Sequence, residues 1–222
     1  PLGHDNNVGF LYPGIGATYV GLGRDLFHLF PQIFYEASQL AEDFADAVKD
    51  RTLNPRSIER LGFKELKQLD SNLRNHLPDI AECGVAFACI FTFVFQKVFG
   101  LKANFATGYS MGEVSMYAAL GCWKNPSVMS ERLANSKAFN HGLTGELQTL
   151  REHWDLPPAK PGVIEKLWET YSLKATVEEV QQASETEDRV YCTIVNTPDS
   201  LVIGGDPDAC QRVIKRLGVR AM

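Results

Sequence analysis

Paired cysteines are missing from this sequence. Its five cysteines, Cys83, Cys89, Cys122, Cys192 and Cys210, are odd in number and scattered, and no CxxC pair occurs. Only five histidines are present, none at zinc-ligand spacing from a cysteine. These absences predict a reduced, cytoplasmic protein without a structural metal. Excess positive charge is missing too. Against 22 Lys+Arg stand 27 Asp+Glu, a formal net charge of -5, which argues against a nucleic-acid partner. No uncharged apolar run reaches the roughly 20 residues that a membrane span needs. The most apolar, "GVAFACIFTFVF" at Gly84 to Phe95, reads as a buried core helix, so no membrane partner is expected. No secretory leader is expected from the first residues; "PLGH", residues 1–4, has the look of a tag remnant and is set aside. Neither GxGxxG nor a Gly-Lys-Ser/Thr run occurs. The glycine-rich "GIGATYVGLGRD" is therefore read as a turn of close backbone approach, not a nucleotide site, and no tightly bound cofactor is expected.

What is present suits a sizeable core: 222 residues, 45% hydrophobic. "VGFLYP", Val8 to Pro13, reads as a buried strand ending in a Pro-Gly turn. "PQIFYEASQLAEDFADAV" has apolar residues at helical steps, with Pro31 fit for a first turn. Pro78 to Val98 reads as the buried helix, and "ANFATG" as a strand. "MGEVSMYAALG" reads as a helix ending at Gly121. Beyond Gly142 the texture changes. "ELQTLREHW" alternates like a strand, "VIEKLWETY" and "TVEEVQQASE" are helical, and "RVYCTIVNTP" and "SLVIGGDP" form a hairpin. "DACQRVIKRLG" is a helix capped by Asp206, and "VRAM" starts another strand. The order β-α-β-β-α-β is ferredoxin-like. The expected organisation is α/β: part of a large subdomain with a parallel sheet at 5–142, and a small ferredoxin-like subdomain at 143–222.

Between the strand "ANFATG" and the helix that follows stands Gly-Tyr-Ser-Met-Gly, with Ser110 at its centre. In G-x-S-x-G the serine occupies a sharp strand-to-helix turn. The glycines keep side chains from colliding, the hydroxyl is exposed, and the helix start supplies backbone N–H groups. Developing negative charge on an attacked carbonyl needs such preorganised donors. Ser110 is therefore the candidate nucleophile, with a structural turn serine as the alternative.

"GYSMGE" resembles the "GHSxGE" elbow of the acyl-carrier-protein acyltransferases of fatty acid and polyketide synthases. "LYPGIGATYVGLGRDL" resembles their N-terminal "FPGQGSQ…GMG" segment, and "TIVNTPDSLVIGGD" the "NSP..VVISG" hairpin of their small subdomain. The matches fall in the family's order. Together with "GCWKNP" and "GELQTLREHW" they look closest to the acyltransferase of polyunsaturated fatty acid synthases. The resemblance implies an α/β-hydrolase-like large subdomain and a ping-pong reaction. Ser110 takes an acyl group from coenzyme A or a phosphopantetheine thioester and passes it to the thiol of an acyl carrier protein. It implies oxyanion donors on the backbone of Ile15 and Met111. It also implies partner domains or subunits of a synthase.

Two departures follow. Malonyl-specific members carry an arginine about 25 residues after the serine; here that place holds Asn135, with Arg132 and Lys137 nearby. A lysine does not replace a bidentate guanidinium, so a neutral, non-malonyl acyl group is expected. The family's general-base histidine follows the small subdomain, whereas His28, His76, His141 and His153 lie elsewhere. The chain therefore reads as truncated, with the rest of its own domain as a further expected partner. Tyr109 stands beside the nucleophile, where the family often has histidine. Glu113 and Glu82 are candidates for supporting the site or for ordinary helix-start carboxylates. Phe87, Phe91, Phe93 and Phe95 are candidates for core or for an acyl tunnel. Arg212, Lys215, Arg216 and Arg220 form a basic cluster that could meet an acidic carrier protein. A serine acyl-thioester hydrolase of α/β-hydrolase type, and a catalytically incomplete docking module, are the competing readings.

Overall fold

The computed structural model describes residues 7–58, 60–123, 128–143, 145–160 and 165–222. Residues 1–4, read as a tag remnant, lie outside them. The chain divides into two compact units, Pro1–Trp154 and Asp155–Met222.

In the large unit, strand β1 (Gly9–Tyr12) pairs in parallel with β2 (Phe105–Gly108), Tyr12 opposite Gly108. Between them the chain runs through short helical segments at Leu26–Leu29, Phe34–Ser38, Phe44–Ala47 and Asp50–Leu53. The longer helices α1 (Phe63–Arg74) and α2 (Leu77–Phe93) follow. The stretch from Pro31 to Val48, expected as one helix, is thus broken. Ile33, Ala37, Ala47 and Val48 are still buried as the helical spacing demands. The break at Gln39 to Asp43 restarts because the Asp43 side chain accepts from the Asp46 N–H at 2.9 Å.

Helix α2 is the axis of this unit. It buries Ile80, Cys83, Ala86, Phe87 and Ile90 in one cluster with Leu22, Ile33, Leu53 and Leu73. On another face Val85 and Cys89 meet Tyr12, Ala118 and Ala119. Its helical path continues through a π-helical turn to Val98, so the apolar element is longer than the uncharged run suggested. It is the one helix among the described residues long and apolar enough to cross a membrane, and its apolar residues build this core. Burial pushes the Cys83 and Cys89 thiols up to about 12, which leaves them inert. β1 is less buried than expected: Tyr12 faces the core, but Leu11 is 80% exposed.

Helices α3 (Met111–Ala119), α4 (Val128–Asn135) and α5 (Gln148–His153) complete the unit. "ELQTLREHW", expected as a strand, holds α5, because Leu147, Leu150 and Trp154 are spaced three and four apart. Trp154 is buried in the large unit, so the division falls there and not after Gly142.

The small unit contains β3 (Glu169–Leu173), α6 (Val177–Ser184), β4 (Val190–Thr197), β5 (Ser200–Gly205) and α7 (Pro207–Leu217). The sheet is antiparallel in order β3-β5-β4, and Ala221 bridges to Leu173 on the free side of β3. The β-α-β-β-α order holds, the expected last strand is reduced to the single Leu173–Ala221 bridge, and there is one further correction. The first strand lies in "ETYSL", where a helix was expected, and not in "ELQTLREHW". Leu173, Val180, Val190, Leu201, Ile203, Val213 and Ile214 form the core. Thr176 and Glu179 make a reciprocal capping box at the start of α6. Asp206 caps α7 through the Ala209 N–H at 2.9 Å, as its sequence predicts.

One ion-pair cluster ties α7 to the loop after α6. Arg212 donates from Nε and Nη2 to Glu187 at 3.0 and 2.7 Å, and Arg216 donates to the same carboxylate at 2.7 Å. The Arg212 hydrogen bond, helped by Arg216, holds the Glu187 carboxyl down to about 2. Folding therefore favours the deprotonated carboxylate. Its stabilising effect is complete above pH 4.5 and is lost as pH falls toward 2. Denaturant titrations of the wild type and Glu187→Gln should differ most near neutral pH and converge in that acid window. A constant difference across it would contradict the pairing.

Candidate active site

The site is built where β2 runs into α3. Ser110 is the residue between them, with φ 53° and ψ -123°. This backbone is strained for a residue with a Cβ, and such strain persists only where surrounding structure enforces it. The enforcement comes from the two motif glycines. A Cβ on Gly108 would overlap the backbone of Gly112 and Glu113. A Cβ on Gly112 would overlap the carbonyl oxygen of Tyr12. The first turn of α3 therefore lies directly on β2 and on the end of β1, with the Tyr109 N–H donating to the Tyr12 carbonyl at 3.1 Å. Ser110 is left exposed at the apex.

Against this apex passes the Gly14–Ala17 segment. A Cβ on Gly14 would stand 3.2 Å from the Tyr109 carbonyl oxygen and 3.6 Å from Ser110 Cβ. Ile15 opens a 3-10 turn there, and Met111 is the first residue of α3. Among the described residues neither the Ile15 nor the Met111 N–H meets a backbone acceptor. Two candidate oxyanion donors thus lie on segments beside Ser110. The structure brings together Ser110, Met111, Tyr109 and the Ile15 segment.

The other expected residues lie elsewhere or are engaged. Tyr109 is 56% exposed, and its ring packs beside Gly14. Asn135 is exposed on α4 and donates its amide to the Glu131 carbonyl at 2.9 Å; Arg132 is exposed on the same helix. Neither has a recorded bond to the Ser110 segment among the described residues. Among them, no histidine hydrogen-bonds Ser110 Oγ either. Glu113 is exposed in the first turn of α3, a position that favours a solvated carboxylate. Glu82 accepts from Lys49 Nζ at 2.8 Å, and Asp46 lies 3.0 Å from the same ammonium. Burial alone would lower the Lys49 pKa, but these hydrogen bonds outweigh it and the net shift is upward. Glu82 serves a charge cluster on the core helix.

Sequence reasoning left open the use of the α2 aromatics, which the structure divides. Phe93 packs against the core cluster and Phe87 belongs to it, while Phe87 also joins Phe91 and Phe95 in lining a cavity of about 440 Å³. The signal was available in their spacing: residues 87, 91 and 95 share one helix face. Arg212 and Arg216 are both committed to Glu187, whereas Lys215 and Arg220 carry no recorded ion pair among the described residues.

No family model matches the chain. It is 28% identical over 221 residues to a polyunsaturated fatty acid synthase component of a Thraustochytrium species, covering 98% of this chain and 10% of that protein. It is 27% identical over 213 residues to the malonyl CoA-acyl carrier protein transacylase of Bacillus subtilis, covering 95% of this chain and 46% of that one. The chain thus spans less than half the length of each of these curated relatives. Among solved structures it matches the acyltransferase domain from the second module of the salinomycin polyketide synthase. There the TM-score is 0.63 at 20% identity, over 98% of this chain and 44% of that one. It also matches the malonyl CoA-acyl carrier protein transacylase of Clostridium perfringens, with TM-score 0.60 at 21% identity over 98% of this chain and 60% of that one. The fold is that of acyltransferase domains, as the sequence motifs implied.

The packing of the elbow generates a test. Gly108→Ala and Gly112→Ala each force backbone apart, and overpacking of this kind typically costs about 1–3 kcal/mol. Each variant should melt several degrees below the wild type by circular dichroism. Unchanged melting of both would contradict the observed packing.

Proposed function

We propose that this chain carries the nucleophilic elbow of an acyltransferase. On this reading Ser110 accepts an acyl group from a thioester and delivers it to the phosphopantetheine thiol of an acyl carrier protein. The observation that carries the proposal is the Ser110 backbone, strained and exposed between two close-packed glycines. Likeness to acyltransferase domains and transacylases supports it.

Ser110 Oγ attacks the thioester carbonyl, and negative charge develops on its oxygen. The N–H groups of Met111 and Ile15 stabilise that charge, and each such donor is worth about 3 kcal/mol. Collapse breaks the C–S bond and releases a thiol, leaving the acyl ester on Ser110. The incoming phosphopantetheine thiol repeats the sequence in reverse. A base must take the Oγ proton for the serine to be a strong nucleophile. The family resemblance assigns that role to a histidine following the small unit, and the curated relatives are longer than this chain.

The acyl group on this reading is neutral. Asn135 stands where malonyl-specific members have arginine, and its amide is engaged with its own helix. Intact-mass spectrometry of the full-length protein should show acyl adducts with neutral acyl-coenzyme A. Malonyl loading should be at least tenfold slower, and Ser110→Ala should give no adduct. An adduct on Ser110→Ala would overturn the nucleophile. Malonyl loading at equal kcat/KM would overturn the neutral substrate.

Carrier docking by the α7 surface is the further element. With Arg212 and Arg216 paired to Glu187, the cations left to meet an acidic partner there are Lys215 and Arg220. Rim charges of this kind act mainly on association rate. Lys215→Glu with Arg220→Glu should slow transfer to a carrier protein severalfold at low salt, with little effect on transfer to free pantetheine. Equal losses with both acceptors would remove the docking role.

A further inference from the structure

The large unit contains a cavity of about 440 Å³, within the range of roughly 300–1,000 Å³ typical of small-molecule sites. β1 and the turn after it supply Phe10, Leu11 and Gly14, and α2 with the π-helical turn that continues it supplies Phe87, Phe91 and Phe95. Met111 and Ser115 of α3 also line it. Gly14 packs against Ser110 and Met111 follows it, so the cavity adjoins the Ser110 turn, although Ser110 itself does not line it.

Its chemistry is one-sided. No charged side chain lines it. Two of its hydroxyls already have partners: Tyr12 and Thr92 hydrogen-bond at 2.9 Å, and Thr92 donates to the Ala88 carbonyl at 2.7 Å. Burial raises the Tyr12 pKa further, so the phenol stays neutral. A carboxylate entering this space would shed water and meet no cation, which is unfavourable. A hydrocarbon chain would lose nothing and cover aromatic surface. A Cβ on Gly84 would stand 2.9 Å from Met111 Cε and 3.1 Å from Thr18 Oγ1, so the Met111 side chain lies over a position kept bare of bulk. Methionine is flexible enough to swing aside there.

We infer that this cavity receives the hydrocarbon tail of the acyl group, with Phe91 and Ala88 setting the chain length admitted. The inference rests on the reading of Ser110 as the acylated nucleophile and adds the class of its substrate: a linear, uncharged chain longer than acetyl. Each methylene entering the cavity should raise kcat/KM about fourfold until the space is full.

The test uses the full-length protein and two readouts. In the first, acetyl-, hexanoyl- and decanoyl-coenzyme A compete for loading, and Ser110 adducts are counted by mass. Ala88→Phe, which fills the cavity, should lower the decanoyl-to-acetyl ratio at least tenfold. Phe91→Ala, which removes a wall, should shift the preferred chain to greater length. Unchanged ratios in both variants would overturn the assignment. In the second, Ser110→Ala protein is titrated calorimetrically with decanoyl-pantetheine and acetyl-pantetheine. Decanoyl should bind at least tenfold more tightly, and Ala88→Phe on that background should erase the difference. Equal affinities for the two ligands overturn the cavity assignment whatever happens at Ser110. A failure of Ser110 to load any acyl group, with decanoyl still preferred in binding, would instead overturn the acyl-enzyme reading alone.

Discussion

The contact on which the active-site region depends is backbone against backbone, where the first turn of α3 rests on the ends of β1 and β2. Gly112 lies on the Tyr12 carbonyl and Gly108 lies under Gly112, with no room for a Cβ at either position. That approach forces the chain to reverse within one residue, and Ser110 takes the strain at φ 53°. The same approach brings the Gly14 segment within van der Waals reach of the serine, and the Ile15 and Met111 N–H groups meet no backbone acceptor among the described residues. Exposure of the hydroxyl, availability of the donors and strain of the backbone are three results of one packing constraint.

Charge is kept away from this region and used elsewhere. Lys49 is held by Glu82 and Asp46 at the edge of the core helix, and Glu187 gathers two arginines on the small unit. Both clusters are local ties between a helix and its neighbouring loop. Glu113 stands exposed in the first turn of α3, but the cavity that adjoins the Ser110 turn has no charged side chain in its lining, and Phe87, Phe91 and Phe95 form part of its wall. An enzyme that bound a dicarboxylic acyl group would need a fixed cation at its site, because a desolvated carboxylate must be paired. The distribution of charge and the substrate reading therefore agree.

The elbow is legible in the sequence because its requirement is steric: two glycines flanking a serine, between a strand pattern and a helix pattern, have few other solutions. The small unit is legible for a similar reason. Asp206, Pro207 and Gly218 mark both ends of α7, and the hairpin of β4 and β5 turns at a Pro-Asp pair. What misleads is period. Leu147, Leu150 and Trp154 satisfy helical spacing, but a local alternation in "ELQTLREHW" suggests a strand. The true first strand, "ETYSL", follows helix-forming residues that hide it. The stretch after Pro31 has helical spacing throughout, yet breaks where Asp43 offers the backbone a better cap. The spacing of Phe87, Phe91 and Phe95 puts them on one side of the helical path, but that this side borders a void depends on β1, which is distant along the chain.

The most direct measurement is a rapid-quench chase. The full-length protein is loaded with decanoyl-coenzyme A, freed of donor, and mixed with holo-carrier protein. Peptide mass spectrometry then follows the acyl group on the tryptic fragment containing Ser110. The account predicts an ester on Ser110 that disappears as acyl-carrier protein forms, at a rate no slower than steady-state turnover. Acyl transfer without label on that fragment, or label that decays more slowly than turnover, would contradict it.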